Sequence, residues 1–263
     1  MLTLNGKTYQ NTDELFHDAI AMNLDISDIE KVKFDKYARL QKLGRTLQLP
    51  TPLAVLQIQV KNPNQAEHGI LKISDSWVRN QYVIQHQTMA LANWSSATFG
   101  SGLNSAKRTS GAICPVGGEY YTAVFYGSET SSGYYADAND ATTGIVIGTG
   151  ITAESLDSFA LTTPIANGTG SGQMSFNACG VTKTWSSPTW TAAWVRIINN
   201  NSGGTITVNE CALYAYLFSG YTHGFSNTLH AIIMTNRDKL ASGEDILDAG
   251  QLTVTYNNII TYA

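Results

Sequence analysis

The apolar residues of this 263-residue chain change their period at Pro50-Thr51-Pro52, and no one type of secondary structure serves both sides of that change. Before it, apolar positions recur at helical spacing; after it they alternate, between clusters of Gly, Ser, Asn and Thr. Charge changes at the same place. Residues 1–50 hold 14 of the 36 charged residues, seven acidic and seven basic. With 43% hydrophobic and 10% aromatic residues against 14% charged, the chain as a whole is too apolar to be disordered.

Leu2-Thr3-Leu4-Asn5-Gly6-Lys7-Thr8-Tyr9 reads as a hairpin, because Asn-Gly supplies the positive φ angles of a type I′ turn. Asn11 with Glu14 opens a short helix carrying Leu15, Phe16, Ala19 and Ile20. Ser27 with Glu30 opens a longer one, with Ile29, Val32, Tyr37, Leu40 and Leu43 as its apolar stripe and Gly44 as its stop. Beyond it the alternation predicts strands over 54–60, 70–73, 77–85, 120–126, 145–147, 173–179, 190–198, 205–217, 229–234 and 252–260. The expected fold is mainly β: an antiparallel β-sandwich or jelly-roll-like body over 51–263, with a subdivision near 141 left open, and a short helical N-terminal arm over 1–50 that docks or anchors. Residues 95–118 and 127–143 are longer than ordinary hairpin loops and read as recognition loops or arms.

Motifs for chemistry are sparse. Gly148-Thr149-Gly150 lacks the third glycine and the helix of a dinucleotide site, and Gly168-Thr169-Gly170-Ser171-Gly172 lacks the Gly-Lys-Ser/Thr of a phosphate loop. There is no Gly-x-Ser-x-Gly elbow, and Cys114 has no signature tying it to a histidine. The histidines (His17, His68, His86, His223, His230) form no metal-binding spacing, and Cys114, Cys179 and Cys211 lie too far apart for a zinc ribbon, so neither metal nor cofactor is expected. A glycosidase would draw on Asp137, Asp140, Glu154, Asp157 and Glu210, acids any β protein supplies. The chain therefore reads as no enzyme.

Two residue sets suit binding. The basic set Lys31, Lys33, Lys36, Arg39, Lys42 and Arg45 is interleaved with Glu30 and Asp35, which favours a solvated helix or an interface with an acidic neighbour over phosphate contact. Lys31, Lys33, Lys36, Tyr37, Arg39 and Leu40 are the candidate partner-binding residues. Tyr134, Tyr135 and Trp185 are aromatics that could stack on a sugar ring or sit in an interface. A net charge of −4 and a pI near 5.7 speak against nucleic acid as partner, and no apolar run reaches the ~18 residues of a membrane span. The start, Met1 to Gly6, lacks the basic and apolar regions of a secretory signal, so no export is expected.

The second half carries a resemblance. Leu161-Thr162-Thr163-Pro164-Ile165, then Asn167 to Gly172, then Asn199-Asn200-Asn201-Ser202-Gly203-Gly204 running into Thr205 to Tyr214, resembles a pattern recurrent in virion structural proteins of tailed bacteriophages. Arg237-Asp238 followed by a last strand, Gln251 to Tyr256, is similar to their endings. The resemblance covers about Thr142 to Ala263 and implies a capsid-associated, neck or connector, or tail component. It also implies a virion location, other virion proteins as partners, and a homo-oligomer or ring. A glycan-binding module that recognises host saccharides is the alternative. Within this segment Asn199–Gly204 reads as a hairpin between two strands. Glu210 falls on the apolar parity of its strand and needs a buried partner, for which Arg237 is the candidate.

Overall fold

A computed structural model describes residues 2–4, 7–74, 76–82, 105–115, 133–219 and 229–262. The fold is mainly β, a sandwich-like body with two helices on one outer face. Strands β1 (Leu2–Leu4) and β2 (Lys7–Tyr9) pair as the expected hairpin, and α1 (Thr12–Ala21) follows. Asn11 caps α1 by accepting from Glu14 N at 2.9 Å, while Glu14 Oε2 accepts from Gln10 N at 2.7 Å. After β3 (Leu24–Asp25), Ser27 Oγ caps α2 (Asp28–Leu47) by accepting from Glu30 N at 3.3 Å.

The β body contains β4 (Thr51–Lys61), β5 (His68–Ile73), β6 (Ser105–Lys107), β7 (Ile113–Pro115), β8 (Gly144–Gly148) and β9 (Ser175–Phe176). It continues with β10 (Gly180–Ser186), β11 (Thr189–Asn199), β12 (Ile206–Ser219), β13 (Leu229–Ile246) and β14 (Gln251–Thr261). One sheet runs β10-β11-β14-β4-β5-β3 with β9 beside β11, and the other runs β13-β12-β8; β6 and β7 pair separately. All ladders are antiparallel except β3 with β5.

Strand alternation divides β4 between two cores. Leu56, Ile58 and Val60 point, with Leu252, Val254 and Tyr256 of β14, into the space between the sheets, against Ile145, Ile147, Val208, Cys211 and Leu213. Leu53, Val55, Leu71, Ile73 and Ile259 point the other way and are covered by Leu15, Ala19, Phe34 and Tyr37 of the helices. Residues 1–50 thus form a layer on the larger sheet, to which β3 adds a strand.

Several expectations are corrected. Gly44 lies inside α2, which ends at Leu47 with Gln48 in the left-handed conformation at φ 56°. A side chain at position 44 would meet Thr51 Cγ2 at 2.5 Å, so Gly44 marks a close helix-to-sheet approach rather than a stop. Asn199–Gly204 is no hairpin: β11 belongs to one sheet and β12 to the other. The connection turns a corner between layers because buried Asn200 donates to Gly204 O and Ile246 O, both at 2.7 Å, while Gly203 takes φ 80°. Of the strand expected over 77–85, Trp77 makes only an isolated bridge to Asn236, and Arg79–Tyr82 is helical. There Asn80 spends its side chain on Lys107 N, Lys107 O and Met234 O. Of 173–179 only Ser175–Phe176 pairs as strand, and β10 was not anticipated. Residues 120–126 lie outside the described residues, as do 95–104, 116–118 and 127–132.

Candidate functional site

The capping of α2 settles where it starts, and the sheet settles which face it buries. Tyr37 Oη donates to Thr51 O at 3.0 Å, Gln41 Nε2 to Thr261 Oγ1 at 3.0 Å, and Ile73 N to Glu30 Oε2 at 2.8 Å. The buried face of α2 is Glu30, Phe34, Tyr37, Gln41 and Gly44. Of the expected apolar stripe only Tyr37 is buried. Ile29 is 71% exposed, and Val32, Leu40, Leu43 and Leu47 are all more than half exposed. The sheet offers backbone carbonyls and threonines at its rim, so the polar and aromatic residues, not the aliphatic ones, made the contact.

The partner-binding residues divide accordingly. Lys33, Lys36, Tyr37 and Leu40 line one side of an open groove of about 480 Å³, with Leu53, Ile73 and Trp77 opposite. Lys31 and Arg39 lie outside it. Lys31 pairs with Asp28 at 3.0 Å and Lys33 with Glu30 at 2.8 Å, whereas Lys36 and Arg39 have no ion pair among the described residues.

The aromatic set is not one site. Tyr134 packs edge-on to Trp194 with centroids 5.0 Å apart, and its hydroxyl donates to Gln81 Oε1 at 3.3 Å. Burial pushes this phenol up to about 12. Tyr135 donates to Asp137 Oδ1 at 3.1 Å. Trp185 is 60% exposed near the far end of β10, with Tyr262 5.8 Å away between ring centroids. Ala136 bridges to Cys179, six residues before Trp185 along extended chain, so Trp185 stands about 20 Å from Tyr135. One saccharide ring cannot touch both.

The charged residues of the β body act as fasteners. Arg237 Nη2 and Nε each lie 2.8 Å from Glu210 Oε2, with Arg237 3% and Glu210 0% exposed, which is the anticipated pair. Arg237 also donates to Thr152 O at 2.9 Å and Ala153 O at 3.1 Å, and Glu210 Oε1 accepts from Thr162 N and Thr163 N. Gly148 and Gly150 make room for that carboxylate: a side chain at position 148 would sit 2.7 Å from Glu210 Oε1. The Gly-Thr-Gly run therefore serves an internal carboxylate rather than a phosphate. A second pair, Lys72 Nζ to Asp238 Oδ1 at 3.2 Å, joins the two sheets, and Ser74 Oγ donates to Asp238 Oδ2 at 2.7 Å. Burial raises the Asp238 carboxyl, opposed by Lys72.

Arg196, not singled out beforehand, is fully buried. Its guanidinium donates to the carbonyls of Asn177, Thr143, Ile145, Asp137 and Asp140 and lies 4.8 Å from the Phe176 ring centre. The signal was available, since Arg196 shares strand parity with Trp194 and Ile198, the same irregularity that marked Glu210.

The acids considered for hydrolysis are engaged elsewhere: Asp157 with Arg79 at 2.6 Å, Asp137 with Tyr135, Glu210 with Arg237, and Glu154 with Lys239 N. Asp140 accepts from Thr142 N at 2.7 Å, Thr142 Oγ1 at 2.6 Å and Thr143 Oγ1. Burial would raise its carboxyl, but these bonds and Arg196 outweigh burial and lower it. A lowered carboxyl contributes stability in full above the ordinary aspartate value near 4, and loses it as pH falls through the lower folded value. Asp140→Asn is therefore expected to flatten the acid limb of a Tm-against-pH curve below about pH 4. An unchanged limb would refute this.

Cys179 and Cys211 are buried free thiols, both pushed up by burial. In the folded protein neither is expected to react with a thiol reagent such as DTNB, while all three cysteines titrate once guanidinium unfolds the chain. No group of three His, Cys, Asp or Glu side chains among the described residues is arranged to hold a metal ion. Among the same residues no helix is long and apolar enough to cross a membrane. No protein-family model matches the chain, no curated protein matches it in sequence, and no solved structure matches it in fold.

Proposed function

We propose that this chain is a non-enzymatic structural component of a tailed-phage virion, capsid-associated or part of the neck, connector or tail, and that it works by protein–protein assembly. The observation that carries the reading is the crowding of exposed apolar side chains on α2 and its end: Ile29, Val32, Leu40, Leu43, Leu47 and Leu49. No other element among the described residues exposes more than two large apolar residues. Exposed apolar side chains gathered on one element and rimmed by polar residues mark protein–protein contact surfaces. The resemblance of residues 142–263 supplies the virion setting, and the use of Arg196, Arg237, Glu210 and Asp238 as internal fasteners supports a scaffold rather than a catalyst.

Particles purified on density gradients from the culture that makes this chain should contain its peptides by mass spectrometry at a fixed copy number, and their absence would overturn the proposal. Truncation is a poor test, because removing residues 1–50 uncovers Leu53, Val55, Leu71, Ile73 and Ile259.

The glycan-binding alternative is favoured by one observation, the exposed Trp185–Tyr262 pair. A glycan array on which Trp185→Ala loses binding would support it, and unchanged or absent binding would remove it.

A further inference from the structure

The apolar stripe of α2 has a definite shape. Ile29, Val32, Lys36, Leu40, Leu43 and Leu47 follow one another at steps of three and four residues and fall within about 80° of the helix circumference. The buried face, centred between Tyr37 and Gln41, lies about 120° away, so sheet packing leaves the stripe uncovered. Its length is about 27 Å, five turns, and at Leu40 it runs into the groove between α2 and Trp77. This is the form of a surface that receives a second helix through i, i+3, i+4 and i+7 anchors.

Charge identifies the occupant. Among the described residues, Lys36 and Arg39 are the charges on and beside the stripe that make no ion pair. Every acid of α2 is engaged or turned away: Asp28 pairs with Lys31, Asp35 accepts from Thr12 Oγ1, and Glu30 is buried between Lys33 and Ile73 N. A second copy fits badly in either direction. Parallel two-fold packing sets Lys36 against Lys36, and antiparallel packing about the stripe's midpoint, near residue 38, crowds Lys36 and Arg39 of both copies together. Like charges in such a seam disfavour pairing.

We infer that the α2 stripe docks an amphipathic helix of a different protein whose apolar face is flanked by Asp or Glu. This rests on the assembly reading above and names the chemistry of the partner.

The probe is a fluorescein-labelled synthetic helix with Leu at heptad a and d positions and Glu at e and g, with a twin carrying Lys at e and g. Fluorescence anisotropy against the full chain at low ionic strength should show the Glu peptide binding about tenfold or more tighter than the Lys peptide. Leu40→Ser with Leu43→Ser should weaken Glu-peptide binding about tenfold without moving the thermal transition, since both leucines are half exposed. Lys36→Glu with Arg39→Glu should reverse the preference between peptides. Equal affinity for the two peptides, or no binding to either, would overturn the inference. So would a concentration-dependent dimer abolished by Leu43→Ser, which would make a second copy the occupant. The two readings fail separately: peptide binding by a chain absent from particles sinks only the virion setting, and a particle component indifferent to both peptides sinks only the acidic helix.

Discussion

Arg196→Met is expected to cost more stability than any other single replacement in this chain, about 4 kcal/mol or more, which is beyond the usual range for point changes. The five N–H donors of a guanidinium meet five backbone carbonyls here, from three stretches of chain around residues 137–140, 143–145 and 177. Methionine fills much of the volume and satisfies none of them. Each buried carbonyl left unpaired costs about 1–3 kcal/mol, less where water can enter. Arg196→Lys should recover little, because an ammonium presents its donors from one point and cannot reach carbonyls arrayed around a plane. Urea unfolding followed by tryptophan fluorescence measures both variants, and a loss under about 1 kcal/mol for Arg196→Met would show that this hub is dispensable.

The second large effect belongs to the Glu210–Arg237 pair. Removing either partner leaves a charge with almost no access to water, so Arg237→Met and Glu210→Leu are each expected to destabilise by about 3–5 kcal/mol. In the double variant neither charge remains, and the loss should fall short of the sum of the singles by a coupling of roughly 1–3 kcal/mol. The pair also holds a segment, since Arg237 grips the carbonyls of Thr152 and Ala153 and Glu210 the amides of Thr162 and Thr163. Hydrogen exchange at those two amides should accelerate in both single variants before global unfolding is approached. Additive losses, with unchanged exchange at Thr162 and Thr163, would show that the two residues act independently.

How far the chain could be read in advance depended on whether the deciding signal was local. Both helix starts were readable because a cap is a matter of four adjacent residues: Asn11 to Glu14 and Ser27 to Glu30 bond as their spacing requires. The Glu210–Arg237 pair was readable because a carboxylate on an apolar strand face must be neutralised and few bases were at hand. The buried side of α2 was not, because apolar periodicity pointed to the aliphatic stripe alone. Acceptors on another element, Thr51 O and Thr261 Oγ1, draw in Tyr37 and Gln41 instead. The Asn199–Gly204 connection misled for a related reason. Glycine and asparagine signal that a chain turns, and only the pairing of β11 with β14 and of β12 with β13 shows that it turns out of its sheet. The groove beside Lys36 and Trp77 was invisible for the same cause, since its walls are about forty residues apart in sequence.

Beside β4, made of residues 51–61, lies β14, made of residues 251–261. A ribosome adding roughly 5–20 residues per second takes about 10–40 seconds to supply the one after the other. For that interval the floor on which the helices rest is incomplete, because Ile259 has not been synthesised and Leu53 and Val55 have no neighbouring strand on that side. Closure of the larger sheet must therefore come late, as pairing over two hundred residues is slow at any stage. Until β14 is made, the edge of β4 that it will cover has no partner strand, and the nascent chain is expected to be more prone to aggregation than the finished fold.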